Sequence, residues 1–127
     1  FAKQYSKTNK ITTILGAKDA NHIPYIEEFT RFSNKMLVAT EDGSLGRKGW
    51  VIDLLKDSKF ENCYFFNCGP KAMVEAVLPI ELKLSSPEII CSSVDYMTRC
   101  GIGICGSCAD KSGKRTCVEG PFMKPNL

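Results

Sequence analysis

The sequence predicts an α/β protein: a doubly wound parallel sheet followed by a small cysteine-rich module with short β strands. Two observations predict it. Over the first two-thirds of the 127 residues, β-branched or apolar runs alternate with segments whose apolar residues recur at helical spacing, the pattern of strands joined by covering helices. From about Leu82 that alternation gives way to turns, glycines and cysteines. The boundary is set there, with residues 1–82 as the sheet domain and 83–127 as the module. The length suits one domain, or one domain with an appendage.

Each element follows from local chemistry. Phe1 to Ser6 reads as the end of a helix, and the lack of an initiator Met suggests a missing upstream segment. Ile11 to Leu15 is rich in β-branched residues and runs into Gly16, giving a buried strand that ends in a turn. Asp19 or Asn21 is suited to cap the next helix, with Pro24 in its first turn. Tyr25, Ile26, Phe29 and Phe32 then form its apolar face. Met36 to Ala39 is a second strand, and Thr40 to Gly46 a polar loop after it. Trp50 to Lys56 reads as a helix with Val51, Leu54 and Leu55 turned inward. Tyr64 to Phe66 is a third strand, continuously apolar as parallel strands tend to be. Gly69-Pro70 leads into a helix through Met73, Val74, Val77 and Leu78, expected to stop near Pro79.

In open parallel sheets, ligands sit beyond the carboxyl ends of the strands. That rule selects the loops after Leu15, Ala39 and Asn67. It makes Gly16, the stretch Thr40, Glu41, Asp42, Gly43 and Ser44, and the triplet Cys68, Gly69 and Pro70 the candidate binding residues.

The most specific pattern lies further on. Cys100, Cys105, Cys108 and Cys117 are spaced C-x4-C-x2-C-x8-C, the spacing of plant-type [2Fe–2S] ferredoxins. Gly101, Gly103 and Gly106 allow the tight backbone needed to deliver three thiolates from one loop. Small residues also let amide N–H groups face the sulfurs, which tunes the potential. Asp110 to Lys114 is a turn between two short strands that would return Cys117 to the others. Other arrangements compete. A structural zinc site usually pairs two short Cys-x2-Cys knuckles, whereas Cys117 stands alone. A disulfide framework needs an oxidising compartment, and no signal peptide is visible. Buried free thiols would leave the glycines unexplained. Cys63 and Cys91 sit in apolar surroundings suited to the core.

Composition excludes several classes. Residues 1–82 carry 11 basic and 10 acidic side chains and residues 83–127 carry 6 and 4, so neither part has a nucleic-acid footprint. No apolar run is long enough for direct membrane insertion. Reduced cysteines without a targeting segment suggest the cytoplasm. His22, the single histidine, lies at an expected helix start with no acid–base partner in view and reads as a surface residue. Tyr96 and Met97 are expected to pack around the cysteine loop.

Four stretches, in order, resemble a known family: Thr40 to Val51, Cys68-Gly-Pro-Lys-Ala-Met73, Tyr96 to Cys108, and Cys117-Val-Glu-Gly-Pro-Phe122. Together they resemble the electron-transfer subunit of class B dihydroorotate dehydrogenase, in the ferredoxin-NAD(P)H reductase superfamily. The cysteine loop with its trailing Glu-Gly-Pro-Phe is the specific part.

The resemblance implies an order of FAD-binding barrel, NAD-binding domain and cluster domain. This chain would begin after the barrel and after the opening strand and glycine-rich turn of the NAD domain. FAD is therefore implied for the complete protein. The resemblance further implies that the loop from Thr40 meets the adenosine ribose. Glu41 there favours NADH over NADPH, since a carboxylate repels a 2′-phosphate and accepts from a 2′-hydroxyl; Arg47 and Lys48 stand close enough to compensate. Cys68-Gly69-Pro70 would lie beside the nicotinamide, with Met73 in helix core. Electrons would pass between NAD, FAD, the cluster and a flavoprotein catalytic partner in pyrimidine biosynthesis. Related subunits serve cytoplasmic hydrogenases and ferredoxin:NADP oxidoreductases, and a zinc-stabilised binding module is the non-redox alternative.

Overall fold

The computed structural model describes residues 2–94 and 96–125. Its contacts divide the chain into two compact units, Phe1–Ser58 and Lys59–Leu127.

The first unit opens with α1 (Ala2–Tyr5) and a three-stranded parallel sheet. β1 (Thr12–Ala17) runs beside β2 (Lys35–Thr40), with Thr12 opposite Lys35 and Ala17 opposite Thr40. The ladder is seeded at its start. The Ile11 N–H donates to Asn34 Oδ1 at 2.8 Å, and the Thr13 and Ser33 hydroxyls share a 2.6 Å bond. At its other end Ala39 and Thr40 are wholly buried. β3 (Arg47–Lys48), unforeseen in the sequence, pairs with the end of β2.

The helix expected from Asp19 onward is interrupted. Asp19 caps only a 3-10 turn, Ala20–His22, and α2 begins later, at Ile26–Phe32. Pro24 causes the break, because its ring pushes Ile23 into extended backbone. Tyr25 precedes α2 in a left-handed conformation, and neither Asp19 nor Asn21 serves the longer helix. α3 (Val51–Asp57) matches its expected span within a residue. Asp53 accepts from the Trp50 N–H at 3.0 Å, closing the first turn, and Leu55 is buried.

In the second unit β4 (Phe65–Gly69) and β5 (Ile90–Val94) pair in parallel, Phe65 opposite Ile90 and Gly69 opposite Val94. β4 starts later and ends later than expected, and its side chains alternate between half-buried and exposed. α4 (Lys71–Leu84) covers the pair with Val74, Val77 and Glu81. It runs through Pro79 rather than stopping there, so packing of that face outweighs the one backbone bond the proline removes. Ile90 is fully buried, a contribution of roughly 1.5–3 kcal/mol.

Glu81 is the unusual core residue. Its carboxylate accepts from Asn67 Nδ2 on β4 at 2.7 Å, and that amide also reaches Ser92 Oγ on β5 at 3.4 Å. Burial pushes the Glu81 carboxyl up, and the Asn67 bond only partly offsets it.

Leu82 lies in the last turn of α4, and β5 follows it, so strand pairing continues past the expected boundary. After β5 the backbone has few ladders. Ser92 and Met123 exchange two bonds, at 2.8 and 2.9 Å, and Ala109 bridges to Arg115. Cys117 lies on a one-turn helix, α5 (Thr116–Glu119), in place of the expected strand. Among the described residues no helix is long and apolar enough to cross a membrane.

Candidate cluster centre and nucleotide loops

The cysteine loop is built by its glycines. Gly101, Gly103 and Gly106 have φ of 70°, 82° and 70°, in the left-handed region that L side chains resist. These reversals turn amides toward sulfur. The N–H groups of Cys105 and Ile102, then the Cys105 side chain and the Ile104 N–H, pull the Cys100 thiol down to about 6. Such a thiol is largely thiolate at neutral pH, the form that binds metal.

The other two cysteines form a second pair. Cys108, wholly buried, and Cys117 stand with sulfurs 3.4 Å apart. The Cys117 amide lowers the Cys108 thiol, while the neighbouring Cys108 sulfur, then burial, raises that of Cys117. The Gly103 amide faces the Cys117 sulfur. So Cys108 ionises ahead of its neighbour.

This donor set suits a cluster better than a single ion. A structural zinc needs four donors around one centre. A [2Fe–2S] cluster needs two thiolates on each of two irons, and Cys100 with Cys105 and Cys108 with Cys117 supply two pairs.

Two residues missed in the sequence hold this loop. Arg115 donates from Nη1 to the Gly103 carbonyl at 2.7 Å and pairs through Nη2 with Glu119 at 3.2 Å. The Glu119 Oε2 also accepts from the Arg115 N–H at 2.6 Å. Their i, i+4 spacing astride Cys117 was the available signal. Tyr96 is half-buried near the loop's start, whereas Met97 is 68% exposed and does not pack around it.

The triplet Cys68, Gly69 and Pro70 borders a cavity of about 360 Å³, with Ser93, Val94, Tyr96 and Thr116 on its other walls. Cys68 is exposed at the end of β4. The cavity thus joins the strand end to residues flanking the cysteine loop. Gly69 is occupied on its own open side by Met73. A Cβ there would lie 2.8 Å from Met73 Cε and 3.1 Å from its sulfur.

The loop after β2 is more self-contained than its sequence suggests. Thr40 ends β2, and its buried hydroxyl donates to the Leu45 carbonyl at 2.8 Å and accepts from the Leu45 N–H at 3.1 Å. Asp42 accepts from the Ser44 hydroxyl and amide at 2.7 and 2.9 Å, which lowers its carboxyl. Ser44 Oγ accepts from the Ala20 N–H at 2.8 Å, tying this loop to the one after β1. Gly43 has φ 80°. Glu41 is exposed at the loop's start. Arg47 is engaged by Asp57.

Gly16 departs from its expected place. It lies within β1, opposite Ala39, and a Cβ there would collide with Val51 Cγ1 on α3. The close approach it permits is between strand and helix. His22 is on the surface as expected, although its Nδ1 meets Asp19 Oδ1 at 2.8 Å; that bond heads the causes that lower the Asp19 carboxyl.

Parallel strands with helices between them, a cavity at a strand end and a four-cysteine loop are the features expected of a reductase-type α/β fold followed by an iron–sulfur module. The family model described as the iron–sulfur cluster binding domain of dihydroorotate dehydrogenase B matches residues 95–126. The chain is 36% identical over 115 residues to the probable dihydroorotate dehydrogenase B (NAD(+)) electron transfer subunit of Methanopyrus kandleri, covering 89% of this chain and 43% of that one. It is 35% identical over 122 residues to the corresponding subunit of Listeria welshimeri, covering 91% and 46%. A solved NADH-dependent reduced ferredoxin-NADP oxidoreductase, studied for flavin-based electron bifurcation, superposes with a TM-score of 0.71. Its identity is 30%, covering 97% of this chain and 46% of that one. Over the aligned stretch the chain is similar to dihydroorotate dehydrogenase B electron transfer subunits, and it spans about half the length of the curated relatives it matches.

Proposed function

We propose that this chain is the NAD- and cluster-binding portion of an iron–sulfur flavoprotein subunit that relays electrons between NAD and a flavoprotein catalytic subunit, the electron-transfer half of a dihydroorotate dehydrogenase. The pairing of Cys100 with Cys105 on the glycine loop and of Cys108 with Cys117, with amides turned toward Cys100, Cys108 and Cys117, carries this reading. Cys100, Cys105, Cys108 and Cys117 hold a [2Fe–2S] cluster, which supplies one-electron chemistry when bound. The loop's amides stabilise thiolate charge, and Tyr96, half-buried on the cavity wall four residues ahead of Cys100, limits water. Cys68, Gly69 and Pro70 face the nicotinamide across the cavity at the end of β4. Glu41 meets the adenosine ribose and selects NADH, with Asp42, Gly43 and Ser44 fixing the loop that presents it. FAD is a cofactor of the complete subunit. Residues 83–127 serve as the cluster domain, following residues 1–82. The protein works in the cytoplasm, without nucleic-acid partners or direct membrane insertion. No acid–base pair is required of this chain, because the redox chemistry belongs to the cofactors.

A second reading keeps the cluster and changes the partner. The likeness to the ferredoxin-NADP oxidoreductase supports it, and the names of the curated relatives weigh for the first reading.

Anaerobic reconstitution tests the shared part. The expected outcome is about two irons and two acid-labile sulfides per chain, with a paramagnetic signal after dithionite. Stoichiometric zinc with no sulfide would overturn it in favour of a non-redox module. Co-purification of the complete protein with a dihydroorotate-oxidising subunit separates the first partner from the second.

A further inference from the structure

We propose that Arg115 is a positioning residue that raises the reduction potential at the cysteine loop, acting on both sulfur pairs at once. The inference rests on the reading that the four cysteines hold a [2Fe–2S] cluster.

Two routes lead from the guanidinium to sulfur. The first is direct: its charge lies close enough to Cys117 and Cys108 to interact with both. The second runs through one peptide unit. Arg115 Nη1 donates to the Gly103 carbonyl at 2.7 Å, and the N–H at the other end of that peptide belongs to Ile104 and faces Cys100. A hydrogen bond to a carbonyl polarises the peptide and strengthens the N–H it offers. Arg115 thereby reaches the first pair without touching it.

The arrangement is specific to these residues. A Cβ on Gly103 would lie 3.3 Å from Arg115 Nη1 and 2.6 Å from Val118 Cγ2, so glycine leaves the guanidinium its seat. The planar fork of arginine spans Gly103 and Glu119 together, which an ammonium does not. Glu119 sets the sign of the second test, because its carboxylate offsets part of the Arg115 charge. Reduction adds one electron, and so one negative charge, at the loop. A cation there favours the reduced state and an anion opposes it.

The test uses the full chain, reconstituted anaerobically, with the potential read by a spin-resonance titration against dithionite. Arg115→Gln is expected to lower the ratio of reduced to oxidised cluster about tenfold at the wild-type midpoint, a fall of about 59 mV. Glu119→Gln is expected to raise that ratio at least threefold. Arg115→Lys, which keeps the charge, falls between wild type and Arg115→Gln. Shifts of the same sign in Arg115→Gln and Glu119→Gln would overturn the proposal, since general loosening of the loop has one direction. So would ratios within twofold of wild type in loaded protein. If Arg115→Gln loads no cluster, Glu119→Gln decides, and an unmoved ratio there overturns the proposal. A wild-type chain without iron and sulfide would instead remove the cluster reading and this inference with it.

Discussion

Gly16→Ala discriminates packing from nucleotide approach at the end of β1. Gly16 has ordinary extended backbone, so an alanine there meets no backbone strain, and the whole cost is steric. The new Cβ would come closer to Val51 Cγ1 than the 3.0 Å that real Cβ atoms keep, while Val51 Cβ and N lie at 3.7 and 3.9 Å. The conflict is therefore with one methyl. Val51 is β-branched and begins α3, where one rotamer dominates, so the methyl has nowhere to swing. Overpacking of this kind costs about 1–3 kcal/mol. Val51→Ala alone removes half-buried methyls, at about 1 kcal/mol. In the double variant the conflict is gone, and its stability is expected to match Val51→Ala. The coupling energy is then about 1–3 kcal/mol. Urea unfolding followed by far-ultraviolet circular dichroism measures all four corners. Additive effects, or a Gly16→Ala chain of unchanged stability that loses NADH affinity, would refute the reasoning and return Gly16 to the nucleotide.

Glu81 and Glu41 give two further tests. Burial holds the folded Glu81 carboxyl above its ordinary value of 4.5. The native state therefore keeps a proton that the unfolded chain releases, and the stability this residue contributes falls as pH rises from 4.5 through the folded value. Glu81→Gln keeps an acceptor for Asn67, so it is expected to be more stable than wild type at neutral pH and to flatten that slope in urea titrations at several pH values. Glu81→Ala leaves the Asn67 amide without its 2.7 Å acceptor and is expected to cost about 1–3 kcal/mol. In the complete protein, Glu41→Arg is expected to shift the NADPH to NADH ratio of kcat/KM about tenfold, roughly 1.4 kcal/mol, measured by steady-state kinetics. An unchanged ratio would place the ribose elsewhere.

Much of the architecture was legible wherever one pattern dominated. Ile11 to Leu15 and Met36 to Ala39 are apolar runs between turn signals, and both became strands. Trp50 to Lys56 carried helical periodicity through Val51, Leu54 and Leu55. What stayed hidden depended on partners distant in sequence. β5 reads as Ile-Cys-Ser-Ser-Val, too polar to announce a strand, and it forms because β4 offers a ladder and α4 a cover. α4 passed Pro79 for the same reason. Cys117 was expected on a strand because Asp110 to Lys114 reads as a hairpin turn, yet the Arg115–Glu119 pair closes a helical turn around it. The cysteine spacing singled out the four thiols because a fixed interval leaves a regular trace in sequence. The roles of Thr40 and Gly16 left none, because a buried hydroxyl bonded to Leu45 and a strand glycine under Val51 look the same in sequence as loop residues that meet a ligand.

The two bonds between Ser92 and Met123 tie a knotless lasso: the stretch 93–122, with all four loop cysteines, leaves and returns through one neck. Closing a loop of this size has an entropic cost that varies only as the logarithm of its length, so residues can be added to the noose at little further cost while the neck at Ser92 and Met123 holds its ends together.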